Sequence, residues 1–132
     1  MDILDKFKEE IVEDVKVDEL NLLDKQMMLP SLKHKWVARL IDTKRELNRL
    51  NRKKKQLRDS VLEQFKKEGI PPGIPKANID KKIDSSETIM NLQEEIEEKE
   101  IIVEYLEKVE IIFKNMSFDL KNIVEINKME MS

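Results

Sequence analysis

The residues best suited to chemistry in this chain are cations. Arg49-Leu-Asn-Arg-Lys-Lys-Lys-Gln-Leu-Arg58 holds six basic residues and no acidic one. Clustered Lys and Arg bind rather than make bonds: they neutralise phosphates and release the counterions condensed on a polyanion. Catalytic groups are scarce. His34 is the only histidine, without a cysteine or acidic partner at ligand spacing. Cysteine is absent, which excludes disulfides, thiolate metal sites and cysteine nucleophiles. Gly69 and Gly73 lack the spacing and the following Lys-Ser/Thr of a phosphate-cradling loop. Glu94-Glu95-Ile-Glu97-Glu98-Lys-Glu100 is a dense acidic run, which on a helix reads as a solvated face paired with Lys and Arg. These residues imply a binding protein, not an enzyme, with no cofactor and no metal.

The elements that must position the cations are helices. The chain has 132 residues, 40% of them charged and 5% aromatic, with two Gly and four Pro. That balance suits long solvated helices with narrow apolar stripes rather than a sheet protein. So polar a chain cannot bury a large core as one compact monomer, so burial between subunits is expected. No apolar run approaches the roughly 20 residues needed to span a bilayer, and the acidic opening Met1-Asp-Ile-Leu-Asp5 has no secretory signature. The net charge of −3 conceals a strong segregation. Residues 31–67 carry thirteen Lys/Arg against four acids, residues 1–30 four against nine, and residues 79–115 five against eleven.

The fold class expected is all-α: a long antiparallel, coiled-coil-like helical hairpin with short N-terminal helices and a short C-terminal oligomerisation helix. It is read as one helical domain, 1–132, in five segments. Residues 1–30 form short helices, the first carrying Leu4, Phe7, Ile11 and Val15, the second capped by Asp18 and ended or kinked at Pro30. Residues 31–67 form the basic arm, whose seam reads Trp36, Leu40, Thr43, Leu47, Leu50, Lys54, Leu57, Val61, Gln64 in alternating four- and three-residue steps. Residues 68–78 are a Gly/Pro connector. Residues 79–115 form the acidic second arm, with seam Ile89, Leu92, Ile96, Lys99, Val103, Leu106. From Ile101 its stripe widens and shifts to Ile102, Leu106, Val109, Phe113, Met116 and Leu120, which means a change of partner along the helix. A break at Asn115-Met-Ser117 is expected to set off residues 116–132.

At 100° per residue, Leu47, Leu50, Lys54 and Leu57 share one face of the basic arm, and Arg45, Arg49 and Arg52 project from the opposite one. Lys53 and Lys55 lie on the flanks. The cations can therefore bind a polyanion while the seam packs, although pairing with the acidic arm alone would also account for them. Trp36 can pack in the seam or stack on bases, and packing is the better reading because it opens the seam. The lack of aromatics near the cluster predicts phosphate contacts, weak sites and an oligomer in which several act together.

The chain resembles the UvsY family, recombination mediator proteins of tailed bacteriophages. The resemblance rests on Glu9-Glu-Ile-Val-Glu-Asp-Val-Lys-Val-Asp18, the pair Lys35-Trp36, the Lys/Arg-rich helix that follows, and Phe118-Asp-Leu-Lys-Asn-Ile123. It implies a non-catalytic single-stranded-DNA-binding mediator. Such a protein helps a RecA-like recombinase (UvsX type) replace the phage single-strand-binding protein, in the cytoplasm of the infected bacterial host. It also implies a homo-oligomeric ring, on the order of six or seven subunits, joined through the C-terminal region, with no membrane partner. In this sequence Arg58 is followed by Asp59-Ser60, which moves the centre of positive charge towards residues 52–55. The DNA contacts expected are Arg45, Arg49, Arg52, Lys53, Lys55 and Arg58, with Lys35 and Arg39 as outer members. The oligomer surface expected is Ile102, Val109, Ile112, Phe113, Leu120 and Ile123. A coiled-coil scaffold or prefoldin-like holdase without DNA binding is the competing reading, disfavoured because the connector is short for the strands such chaperones need.

Overall fold

Apolar residues at three- and four-residue spacing line one face of a helix, and the chain folds accordingly. The structure, a computed structural model, describes residues 2–70 and 72–131. Four α-helices follow in order, α1 (Ile3–Val15), α2 (Leu22–Glu68), α3 (Ile79–Asp84) and α4 (Glu87–Met131), with a 3-10 turn at Lys76–Asn78. No strand occurs among the described residues, and none of these helices is long and apolar enough to cross a membrane. The all-helical class, dominated by two long helices that pack on each other, is as expected.

Some element boundaries differ from the expected ones, each for a local reason. α2 starts at Leu22 and runs through Pro30 without ending there. Asp18 and Asn21 form a reciprocal turn before it: Asp18 Oδ1 accepts from the Leu20 and Asn21 N–H groups at 2.9 Å, and Asn21 Oδ1 accepts from the Asp18 N–H at 2.8 Å. A proline inside a helix costs about 3 kcal/mol. Here it sits on the exposed side while Leu29 and Leu32 around it are buried, and burying each such leucine stabilises by about 1.5–3 kcal/mol. α4 continues through residues 115–117 because Phe113, Met116 and Leu120 keep one buried stripe. Ser117 Oγ donates to the Phe113 carbonyl at 3.3 Å, so its hydroxyl is satisfied within the helix. The break falls instead at Ser85–Ser86. There Ser85 Oγ donates to the Lys82 carbonyl at 2.9 Å, the kind of local bond by which serine competes with helix continuation. Gly69 ends α2 with φ +85°, and Gly73 has φ +87° in the connector, both in the left-handed region that favours glycine. The connector's Pro71 lies outside the described residues.

The chain divides into two compact units, Met1–Ile41 with Ile102–Ser132, and Asp42–Ile101. In the first, Phe7 of α1, Leu29, Leu32, Trp36 and Leu40 of α2, and Ile102, Leu106, Val109, Phe113, Met116 and Leu120 of α4 form one core. The widened stripe read from the sequence is therefore the α4 side of this core. Trp36 is 2% exposed, edge-on to Phe7 at 5.5 Å and near-parallel to Phe113 at 6.4 Å. Its indole Nε1 donates to Asp14 Oδ2 at 2.8 Å. The tryptophan packs, and is not available to stack on bases.

Asp14 also pairs with Lys35 at 2.5 Å, while Glu10 pairs with Lys35 at 3.3 Å and takes a two-pronged contact from Arg39. The Arg39 guanidinium lies over the rings of Trp36 and Phe7, at 4.7 and 4.9 Å. α1 is thus fastened to α2 by charge as well as by apolar packing. In the second unit Leu50 packs with Leu92 and Ile96, supported by Leu47 and Leu57. Lys54, the polar seam position, donates from Nζ to Gln93 Oε1 at 2.6 Å. With Arg58 beside Asp84 as well, rising numbers on α2 meet falling ones across the pair: the packing is antiparallel.

Two outcomes test this. Trp36→Ala removes the largest buried side chain and should cost about 3–5 kcal/mol, read from the urea midpoint at unchanged slope; a loss below about 1 kcal/mol would mean the indole is not central to the core. The Arg39 hydrogen bond, followed by that of Lys35, holds Glu10 below the usual carboxylate range. The folded pKa is depressed, so this contribution is present above the ordinary carboxylate pKa and lost as pH falls through the lowered one. Glu10 is partly exposed, so the amount is about 0.5–1 kcal/mol. Glu10→Gln should show that deficit against the native chain at pH 7 and lose most of it at pH 3 (roughly one unit below an ordinary carboxylate). A deficit independent of pH would contradict the ion-pair origin.

Candidate nucleic-acid interface

Because Leu47, Leu50 and Leu57 turn inward in the second unit, the helix geometry turns the remaining positions outward. Arg45, Arg49, Arg52, Lys53 and Lys55 are all exposed. No described residue gives Arg45, Arg52, Lys53 or Lys55 an ion pair. A shallow depression lined by Asp42, Arg45, Glu46, Asn48, Arg49 and Arg52 encloses about 460 Å³. A second, lined by Asn51, Lys54, Lys55, Arg58, Asp59 and Leu62, encloses about 380 Å³. Both are open to solvent and lined by more cations than acids, a setting in which Lys and Arg can meet phosphate oxygens.

Within the first depression Arg49 Nη2 and Nε reach Glu46 at 2.5 and 3.0 Å. This hydrogen-bonded pair, one turn apart on the helix, lowers the Glu46 carboxyl below its usual range and raises Arg49 above its own. Both groups are in contact with solvent, so the pair orients the guanidinium more than it stabilises the helix. Among the described residues no His, Asp or Glu cluster could hold a metal ion.

The remaining expected contacts sit differently. Lys35 and Arg39 are half-buried and engaged by Glu10 and Asp14 of α1. Arg58 is half-buried against α3, with Nη2 donating to Asp80 Oδ1 at 3.3 Å and Nε 3.2 Å from Asp84 Oδ1. The structure thus brings Arg45, Arg49, Arg52, Lys53 and Lys55 together on open helix surface and sets three cations apart in ion pairs. The pairing of Arg58 was missed because residues 79–115 read as one continuous acidic arm; the Ser85-Ser86 doublet was the available signal that a short separate helix precedes it.

The expected oligomer surface also divides. Ile102, Val109, Phe113 and Leu120 are buried in the chain's own core, and that is a correction to treating them as free surface. Ile112 and Ile123 remain exposed, and so do Ile111, Phe118 and Ile126. On the helical wheel these five span one arc that borders the core stripe at Ile112 and Ile123 and reaches the far side of the helix at Ile111 and Phe118, giving this part of α4 an exposed apolar face beside its buried one. The sequence reading merged the two faces into one.

Comparison with known proteins is consistent with this architecture. Crystal structures of the bacteriophage T4 recombination mediator protein UvsY match the chain at TM-scores of 0.82 (lattice type IV) and 0.83 (lattice type II), with 18% and 19% sequence identity. The first match covers 96% of this chain and 98% of that one, the second 100% and 99%. At such identity the likeness speaks for the fold alone. No curated protein matches the sequence significantly. The family model described as "Recombination, repair and ssDNA binding protein UvsY" matches residues 10–132; it describes a binding protein and not an enzyme. Spanning both units and all four helices, that match makes the chain a member of the UvsY family.

Proposed function

We propose that the chain is a recombination mediator that binds single-stranded DNA and helps load a RecA-like recombinase onto strands covered by a phage single-strand-binding protein, in the cytoplasm of the infected host. The observation that carries this reading is the group Arg45, Arg49 and Arg52, exposed on the side of α2 that faces away from its packed leucines, with Lys53 and Lys55 exposed on its flanks. Cations held at single-turn spacing on a rigid helix grip a backbone by counterion release and read little sequence. The one indole is buried, so base stacking adds nothing there and each subunit binds weakly. Several subunits acting together supply the affinity, and a strand stretched or wrapped along their basic faces is released from the competing protein and presented to the recombinase. In this scheme Lys35, Arg39 and Arg58 contribute less in the free chain, since carboxylates already hold them.

The oligomer, a homo-oligomeric ring, is assigned to the second apolar face of α4: Ile111, Ile112, Phe118, Ile123 and Ile126. Such a strip on a soluble helix is characteristic of a subunit interface.

Arg49/Arg52/Lys55→Ala should keep native helicity and oligomer mass, weaken single-strand binding at least tenfold near 0.1 M salt, and reduce the salt slope by about 2, at about 0.7 per phosphate contact. Unchanged binding by the folded variant would sink the assignment. For the interface, Ile112→Asp with Ile123→Asp should yield smaller species by sedimentation without loss of helicity, whereas an unaltered mass would place the subunit contact elsewhere.

A further inference from the structure

The donors of Arg58 already face two carboxylates where an anion could sit. Asp80 and Asp84 are one turn apart on α3 and each turns an oxygen to the guanidinium, at 3.3 and 3.2 Å. The arrangement copies the two oxygens of a phosphodiester, but imperfectly. Arg58 Nε is buried and is not aligned for a hydrogen bond with Asp84, so that donor is attracted without being satisfied. A buried N–H in this condition gains from any acceptor with better geometry, and a phosphodiester can take both guanidinium donors in one fork. The competing carboxylates are held loosely, since the side chains of Asp80 and Asp84 are 75% and 49% exposed and pairs so exposed are weak.

The element that carries them is equally light. α3 has six residues and one buried side chain, Ile83. It is preceded by Gly73 with its positive φ and followed by the Ser85–Ser86 break. A helix of this length has little stability of its own. Arg58 also lines the 380 Å³ depression, together with Lys54, Lys55, Asn51, Leu62 and the carboxylate of Asp59. A phosphate entering there would meet the exposed Lys55 and the half-buried Arg58.

We propose that this cleft is a phosphodiester subsite whose occupant in the free chain is the carboxylate pair of α3, and that a single strand takes the site by displacing Asp80 and Asp84. The inference rests on the single-strand-binding reading above and adds to it a built-in competitor. The acids near Arg58 lower its share in weak, transient encounters. A strand already held by Arg49, Arg52 and Lys55 presents its next phosphates at high local concentration and wins the exchange. α3 is then released from the guanidinium.

The test is a double-mutant cycle with a fluorescein-labelled oligothymidylate and the full chain. Asp80→Asn with Asp84→Asn should tighten binding about two- to fivefold and steepen the salt slope by about 0.7, the share of one phosphate contact. In an Arg58→Gln background the same pair should give a clearly smaller gain and no added slope. Equal gains in both backgrounds would reflect only the loss of two negative charges and overturn the proposal, as would no gain in the native background. A second measurement does not depend on the variants: amide hydrogen exchange across residues 79–84 should quicken when oligothymidylate binds the native chain, and unchanged or slower exchange counts against displacement. If the native chain fails to bind the oligonucleotide at all, the underlying functional reading falls, and that result is distinct from a failed cycle.

Discussion

The first unit depends on how one indole is satisfied. Trp36 supplies the largest buried surface in a chain that has few aromatics, and a buried indole N–H needs an acceptor. Asp14 provides it. That carboxylate in turn needs a cation, and Lys35 supplies one; Lys35 shares Glu10 with Arg39, and the Arg39 guanidinium returns to lie on the Trp36 and Phe7 rings. The circuit closes on the residue where it began. Its outcome is that α1 is ordered by charge it would otherwise have exposed, and that the cations at the start of α2 serve the fold. The open cationic surface consequently begins further along, at Arg45.

In the second unit the same helix solves a different problem. Its leucines are too few to bury more than a narrow seam, so the polar seam position Lys54 is retained and bonded to Gln93. A narrow seam leaves most of the helix circumference to solvent. Arginines and lysines can therefore stand on it without desolvation cost and without disturbing the packing.

The periodic part of this arrangement was legible in the sequence. A 3.6-residue repeat fixes which side of a helix any residue occupies, so the leucine seam, the arginine face and the shifted stripe at Ile102–Leu120 follow from spacing alone. Partnerships across the fold were not legible. Arg39 meets Glu10, and Arg58 meets Asp80 and Asp84, across stretches of chain that no local rule connects. Boundaries were read wrongly where tertiary burial outweighed a local signal, as at Pro30, or where a weak local signal decided the outcome, as at Ser85–Ser86. The two faces of α4 were confused because adjacent isoleucines, 111 and 112, blur the edge of a stripe that only the position of the core can resolve.

That second face of α4 has a consequence for how the chain responds to its surroundings. Apolar surface is driven together by water, and near room temperature that drive strengthens on warming and weakens on cooling, with little sensitivity to moderate salt. A polyanion held on the arginine face of α2, as proposed, would respond in the opposite way, since such a hold fades with each increment of ionic strength and only weakly follows temperature. If the isoleucine strip joins subunits and the arginines hold a strand, the two kinds of contact would dissolve separately, one by cold and the other by salt.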